Sequence, residues 1–197
     1  MQIQHIAILG LIINLACAIP YIRDTLIGKT QPNRVSYFLW FAIPLIGIAA
    51  SWSEGVTWAL VPVISASLIP FSIFLASFFD PRAYWRLRPF DYLCGALSIL
   101  ALVLWYVTND ASVAIVLSII ADLFASIPTV VKLWKYPDTE TKITYAAGLM
   151  SAITGLFTLS MWSIFESAFP LYLIFMNGAL FTAAFRGMLL PSEQAGK

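Results

Sequence analysis

Seven long apolar segments dominate this chain, and they constrain its fold more than any other feature. Each holds about 20 mostly apolar residues, enough for a helix to cross the hydrocarbon core of a bilayer. Only 11% of the 197 residues are charged, whereas a soluble domain carries about 25%. We therefore predict an all-α, polytopic membrane protein with transmembrane helices at residues 3–22, 35–51, 56–79, 90–108, 111–131, 143–163 and 168–189.

The basic residues all fall on one side of the predicted membrane. Lys and Arg in short loops stay in the cytoplasm, and the opposite loops offer only Glu54, Asp110 and Glu166 as charged residues. We therefore expect a protein of the plasma or inner membrane with its amino terminus outside and its carboxyl terminus in the cytoplasm. The eleven basic residues are Arg23, Lys29, Arg34, Arg82, Arg86, Arg88, Lys132, Lys135, Lys142, Arg186 and Lys197.

A weak internal repeat relates the two ends of the chain. A shift of 108 residues brings several prolines, a glycine, a tyrosine and a basic residue into one register across three helices. The aligned pairs include Asn14 with Asp122, Pro20 with Pro128, Arg34 with Lys142, Tyr37 with Tyr145, Gly47 with Gly155 and Pro62 with Pro170.

The repeat predicts how a single membrane domain, residues 1–197, is organised. A three-helix unit at 1–79 is followed by a linker helix at 90–108 and a second three-helix unit at 111–189. An odd number of helices would invert the second unit, and the linker helix restores a parallel orientation. Parallel repeats of this kind are known in secondary transporters, whose solute sites lie near the midplane at the repeat interface.

Two stretches of the chain resemble the PQ-loop and SWEET-like transporter superfamily. They are ACAIPYIRDTLIGKTQPNRVSYFLW at 16–40 and ASIPTVVKLWKYPDTETKITY at 125–145. The resemblance implies the three-plus-one-plus-three helix layout, an outside amino terminus and transport by alternating access. The chain departs from the family motif because Tyr21 and Thr129 follow the two prolines where the motif has Gln.

The sugar-transporting members of that family suggest one further site residue. They carry an Asn facing the pocket in the third helix of each repeat. Asn177 matches this position in the second unit, whereas the register places Ile69 in the first. Only half of the pair is present, so the resemblance leaves the solute open among sugars, amino acids and similar molecules.

Three polar residues lie near the middle of apolar segments. Asn14, Asp122 and Asn177 each fall about 14 to 17 Å from the outer end of a predicted helix, at 1.5 Å per residue. An ionisable group at this depth is costly and usually marks a pathway. The alternative for Asp122 is a helix-to-helix hydrogen bond made by a protonated acid, and for the two asparagines polar contact between helices is an equally good interpretation.

Asp122 is also the predicted proton-binding group. Desolvation favours the neutral form of a buried acid, and no Lys or Arg lies within the apolar stretches to hold it ionised. A carrier that moves protons with its solute would use such a group. We therefore predict proton coupling through Asp122.

Aromatic residues and prolines complete the candidate pathway. Trp40, Tyr37 and Tyr145 could stack on a solute, although packing is the commoner use of such side chains. Pro20 and Pro128 match in the two units, and a proline permits a kink in a membrane helix. They are the predicted hinges.

Other classes of protein find little support. A single His and two separated Cys cannot build a typical zinc site, and the buried serines have no histidine partner for hydrolysis. We expect no catalytic residues and no cofactor, and no nucleic-acid partner because the basic residues are explained by topology. The predicted partners are the lipid bilayer and a small-molecule solute.

The leading hypothesis is therefore a secondary transporter that moves a small polar solute by alternating access. The alternative is a membrane receptor, sorting protein or assembly protein on the same architecture. A receptor would need basic residues inside the pocket, and in this chain all the basic residues lie at or beyond the predicted cytoplasmic helix ends.

Overall fold

The computed structural model describes residues 3–52, 60–108, 111–156 and 164–189, and these ranges are helical with no strand. The all-α prediction is confirmed for them. A short 3-10 helix, Pro137–Thr139, lies between the fifth and sixth α-helices. The α-helices are α1 Ile3–Leu26, α2 Arg34–Trp52, α3 Leu60–Ala76, α4 Pro89–Thr108, α5 Ala111–Lys135, α6 Lys142–Leu156 and α7 Ile164–Leu189.

Within the part of the chain that the structure describes, three helices are long and apolar enough to cross a membrane. They cover Pro89–Thr108, Val116–Lys135 and Ser167–Arg186, which belong to α4, α5 and α7. Helices of this length and composition are typical of membrane proteins. The predicted outer loops, with Glu54 and Asp110, lie outside the described residues, as does the side chain of Glu166.

The helices α1 and α5 extend further than the hydropathy predicts. They end at Leu26 and Lys135, four residues beyond the predicted ends at 22 and 131. The added turns contain charged residues, which lower hydropathy without opposing helix formation. Pro20 and Pro128 are therefore inside their helices, with six and seven helical residues after them, and not in the last turn as the predicted boundaries implied.

The helix contacts divide the bundle into two groups of three. Helix α3 packs against α1 and α2, and α7 packs against α5 and α6. The two groups meet where α1 packs against α6 and where α2 packs against α5. Helix α4 lies against α5 and α2, so it joins the groups along one side.

The main buried core lies towards the ends of the helices that carry the basic residues. It includes Tyr21, Tyr37, Ile73, Leu133 and Tyr145, all at most 4% exposed. These residues come from five helices of both groups. Lys132 is also among the largest fully buried side chains, which places a charge inside this core.

The turn after α1 depends on a glycine. Gly28 has a φ of 72°, in the left-handed region that favours glycine. A Cβ at this position would lie 2.8 Å from the Asp80 carboxylate and from the Arg82 side chain. The close approach fixes the connection between α1 and α2 against the connection between α3 and α4.

Candidate functional site

Two clusters of mainly buried polar side chains lie along the contact between the two helix groups. The mid-helix cluster comprises Asp122, Ser126, Tyr172 and Trp40. The basic-end cluster comprises Lys132, Glu140, Tyr21, Tyr37 and Tyr145. Helix α5 contributes to both, since Asp122 and Lys132 lie ten residues apart on it, about 15 Å along the axis.

Asp122 is the centre of the mid-helix cluster and is 8% exposed. The Tyr172 hydroxyl of α7 donates to its Oδ2 over 2.8 Å. The Ser126 hydroxyl, one turn along α5, is 3.4 Å from the same oxygen and accepts a hydrogen bond from Trp40 Nε1 of α2 at 3.0 Å. The carboxyl is thus connected to both helix groups.

The surroundings of Asp122 contain hydrogen-bond donors but no cation. None of the ion pairs among the described residues includes it, and its two donors are neutral hydroxyls. A buried carboxylate without a cation is unstable in its charged form. This arrangement is suited to binding a proton or a cationic group.

The two predicted asparagines both contact α6. Asn14 Nδ2 donates to Ser151 Oγ at 2.8 Å, which joins α1 to α6 across the two groups. Asn177 Nδ2 donates to the Leu173 carbonyl of its own helix at 2.8 Å. A Cβ built at Gly148 would lie only 2.5 Å from Asn177 Oδ1, so the glycine makes room for this amide between α6 and α7.

The three predicted polar residues are therefore held by different partners. Asp122 bonds to α7 and reaches α2 through Ser126, while Asn14 and Asn177 meet α6. No hydrogen bond joins any two of the three among the described contacts. Their grouping around one solute stays a prediction.

The basic-end cluster is built on a buried ion pair. The side chains of Lys132 and Glu140 are 1% and 0% exposed, and Lys132 Nζ bonds to Glu140 Oε1. The hydroxyls of Tyr21 and Tyr145 both donate to Glu140 Oε2, the latter over 2.8 Å. The hydroxyls of Tyr37 and Tyr145 lie 3.2 Å apart.

The same lysine connects three loops at this end of the bundle. Lys132 Nζ donates to the carbonyl of Gln31, in the connection between α1 and α2. It also lies 4.9 Å from the ring centroid of Trp85, in the connection between α3 and α4. The amide of Gln31 donates to the Thr139 carbonyl at 2.9 Å. These contacts close the basic ends of the two groups against each other.

The ion pair of this cluster was missed by the sequence reasoning. Lys132 was interpreted only as a topological charge, and Glu140 was not considered. The local signal is that Lys132 stands in the apolar stretch TVVKLW four residues after Pro128. Its partner follows a turn at Pro137, and no periodicity of the sequence predicts where that turn returns the chain.

The predicted aromatic residues lie in or between the clusters. Tyr37 and Tyr145 are buried and in contact. The Trp40 ring packs edge-on against Tyr37 with centroids 5.2 Å apart, while its Nε1 bonds to Ser126. Trp40 therefore links the mid-helix cluster to the basic-end cluster.

The predicted hinge prolines have different surroundings. Pro128 is buried and lies between Asp122 and Lys132 on α5, whereas Pro20 is exposed on α1. A proline removes one backbone hydrogen bond within a helix. In α5 this weak point falls between the two clusters.

Comparison with known proteins adds no family assignment. No family model, no curated protein and no solved structure matches the chain. The functional proposal therefore rests on the residues described above.

Proposed function

We propose that this protein is a secondary membrane transporter that moves a small polar solute by alternating access, with Asp122 as its proton-binding group. The observation that carries the proposal is a line of buried polar side chains between two three-helix groups in an otherwise apolar bundle. Polar groups are costly in such surroundings and mark pathways in membrane proteins. The line passes from Asp122 through Trp40 to the buried ion pair of Lys132 and Glu140.

The helix contacts support two parallel repeats. Exchanging α1 with α5, α2 with α6 and α3 with α7 converts the contact of α1 with α6 into that of α5 with α2. The same exchange converts the contacts within one group into those within the other. We infer an axis that relates the two units and runs along the membrane normal.

Two contacts join residues that the repeat makes equivalent. Tyr37 meets Tyr145 through its hydroxyl, and Gln31 meets Thr139 through the backbone, each across an interval of 108 residues. A residue touches its own counterpart only close to an axis that relates them. Both contacts lie at the basic ends, so in the proposed transporter the units meet most closely there.

In this mechanism the basic-end cluster is the cytoplasmic gate. Solute can leave towards the basic side only if Glu140 separates from Lys132 or from its tyrosine donors. Pro128 stands between the gate and Asp122 on α5, where a kink could move the lysine without moving the carboxyl. Binding of a proton and solute at Asp122 would then be communicated to the gate through Trp40.

A second candidate is an assembly or receptor protein without transport. The contact between Asp122 and Tyr172 favours it, because that hydrogen bond joins two helices of one unit. In this case Asp122 would act only as polar contact between helices. The two candidates differ in whether removing the titratable group changes proton movement.

Reconstituted flux distinguishes the candidates. Neutral sugars and amino acids are added one at a time to proteoliposomes that contain a pH-sensitive dye, which reports proton movement. Exchange of each labelled solute is measured in parallel. We expect one solute class to move protons, and Asp122→Asn to abolish the proton movement while labelled exchange continues. Asp138→Asn is the matched control, since it makes the same change at a side chain that is 92% exposed. If no solute moves and both variants fold normally, the assembly reading stands.

The proposed orientation has its own test. Cysteines introduced at Glu54 and Glu166 should react with an impermeant reagent applied outside intact cells. Cysteines introduced at Arg86 and Lys135 should react with the same reagent only after the cells are permeabilised. The reverse pattern would contradict the placement of the basic-end cluster in the cytoplasm.

A further inference from the structure

An open apolar groove runs between α5 and α7 on the outside of the bundle. It encloses about 560 Å³ and is lined mainly by apolar side chains, including Val130, Trp134 and Phe175. Gly178 forms part of its floor, and a Cβ added there would meet nothing within 4 Å. Both helices are long and apolar enough to cross a membrane, so in a bilayer this groove would lie against lipid.

A basic residue stands at one mouth of the groove. Arg186 lies eight residues after Gly178 on α7, about 12 Å along the axis. Its guanidinium carbon is 5.5 Å from the ring centroid of Trp134, and Trp134 also lines the groove. The arginine is thus held at the end of the groove where the bundle carries its basic residues.

The arginine retains hydrogen-bonding capacity. Its Nε is buried and has no hydrogen-bond partner among the described residues, and none of the ion pairs that they form includes it. The two acids of the connection between α5 and α6 already have partners, since Glu140 binds Lys132 and Asp138 pairs with Lys142. A buried donor without an acceptor is costly, so a ligand with acceptor oxygens would be stabilised at this position.

We propose that the groove binds an anionic phospholipid of the bilayer, with an acyl chain along α5 and α7 and the phosphate on Arg186. Arginine forms strong paired hydrogen bonds with phosphate oxygens, and basic pockets between membrane helices bind anionic head groups. A zwitterionic lipid brings its own cation to this region and binds more weakly. The proposal does not depend on transport.

Lipid binding to the full-length protein in detergent tests the proposal. Native mass spectrometry counts bound phosphatidylglycerol and phosphatidylcholine across a titration of each. We expect phosphatidylglycerol to bind about fivefold more tightly, the preference that one basic residue gives at a membrane surface. Arg186→Gln should remove the preference, and Arg186→Lys should keep part of it. Arg86→Gln, the same charge change on an exposed loop, should leave it unchanged.

Two further arms identify the ligand. Gly178→Leu fills the groove, so it should lower phosphatidylglycerol binding at least as much as Arg186→Gln does while the lipid-free protein unfolds at the same temperature as wild type. Soluble glycerol phosphate should not compete. Equal binding of the two lipids to wild type would overturn the proposal, as would a preference that survives Arg186→Gln. Competition by glycerol phosphate would indicate a soluble anion and would overturn it as well.

Discussion

Two buried carboxyl groups near the contact between the helix groups, Asp122 and Glu140, are held in opposite ways. Glu140 is paired with Lys132 and receives hydrogen bonds from two tyrosines. Asp122 receives hydrogen bonds only from hydroxyls, and no described cation pairs with it. Both side chains are almost fully shielded from solvent, so burial alone does not distinguish them.

Glu140 is a carboxylate with a cation beside it, whereas Asp122 is a carboxyl group with hydroxyl donors only. A buried ion pair with satisfied partners keeps its charges, and breaking it leaves an uncompensated charge. A carboxyl with neutral donors can exist in either protonation state at a smaller difference in free energy. In the proposed transporter, Glu140 and Lys132 would close the cytoplasmic side and Asp122 would bind the proton.

The largest expected effect comes from removing the cation. Lys132→Met leaves Glu140 buried without its partner, which should lower the free energy of unfolding by about 3–5 kcal/mol. Unfolding in detergent micelles measures the loss. The double variant Lys132→Met/Glu140→Leu should recover much of it, because no lone charge remains. A double variant as unstable as the single one would show that the lysine acts by packing and not by charge.

The next largest loss of stability should come from removing the hydrogen-bond acceptor at Asp122, and two substitutions separate this loss from the loss of the titratable group. Asp122→Leu removes the acceptor of Tyr172 and should cost about 1–3 kcal/mol. Asp122→Asn keeps an acceptor and should change the unfolding free energy by less than about 1 kcal/mol. Thermal unfolding of both variants provides the comparison. If the asparagine variant were destabilised as strongly as the leucine variant, Asp122 would be ionised in the folded protein, like Glu140.

The tyrosine donors of the two carboxyl groups, Tyr145 and Tyr172, should also differ in their contribution to stability. Tyr145→Phe removes a hydrogen bond to a charged acceptor, which contributes about 1.5–3 kcal/mol, whereas a neutral bond contributes about 0.5–1.5 kcal/mol. We expect Tyr172→Phe to show the smaller loss, because in the proposed transporter its acceptor Asp122 is neutral whenever it carries the proton. Unfolding at one pH compares the two variants. Equal losses would remove the distinction between the clusters.

The smallest effect should come from the pair formed by Asp80 and the exposed Arg82 in the loop after α3. Hydrogen bonds from Arg82 hold the pKa of Asp80 below its ordinary value of 3.8. Any stability from this pair is present above that ordinary value and is lost as the pH falls through the lowered pKa. Because the Arg82 side chain is exposed, solvent screens the pair. Arg82→Gln should therefore unfold almost as wild type does at pH 7, and a large difference would mean that this loop is more tightly packed than described.

The sequence predicts the helices better than it predicts the chemistry between them. Hydropathy locates all seven described α-helices, because each has a long apolar stretch. It places the ends of α1 and α5 too early, because a scale that treats Lys132 as a solvent-facing residue cannot continue a segment through it. The 108-residue register pairs Tyr37 with Tyr145, and the hydroxyls of these two residues are in contact.

The missing parts depend on distant segments. The bond from Trp40 to Ser126 spans 86 residues, and the bond from Tyr21 to Glu140 spans 119. No local pattern encodes either contact, since each requires the packing of α2 on α5 or the path of the chain after α5. Asp122 was found because a lone acid in an apolar stretch is conspicuous. Glu140 was not found because it lies in a polar connection, where acids are common.

In the proposed transporter, the basic-end cluster is a gate between the cytoplasmic side and the polar residues around Asp122. Its most direct test is the reactivity of Ser126→Cys, in a protein with Cys17 and Cys94 replaced by Ala, towards an impermeant thiol reagent on the cytoplasmic side of membrane vesicles. We predict slow labelling with the ion pair intact and labelling at least about tenfold faster after Glu140→Gln, which weakens a buried charged contact worth more than 1.4 kcal/mol. A cysteine at exposed Lys135 should react equally fast in both backgrounds. If Ser126→Cys reacts at the same rate with and without Glu140, the cluster is not a gate and the transport mechanism proposed for it is wrong.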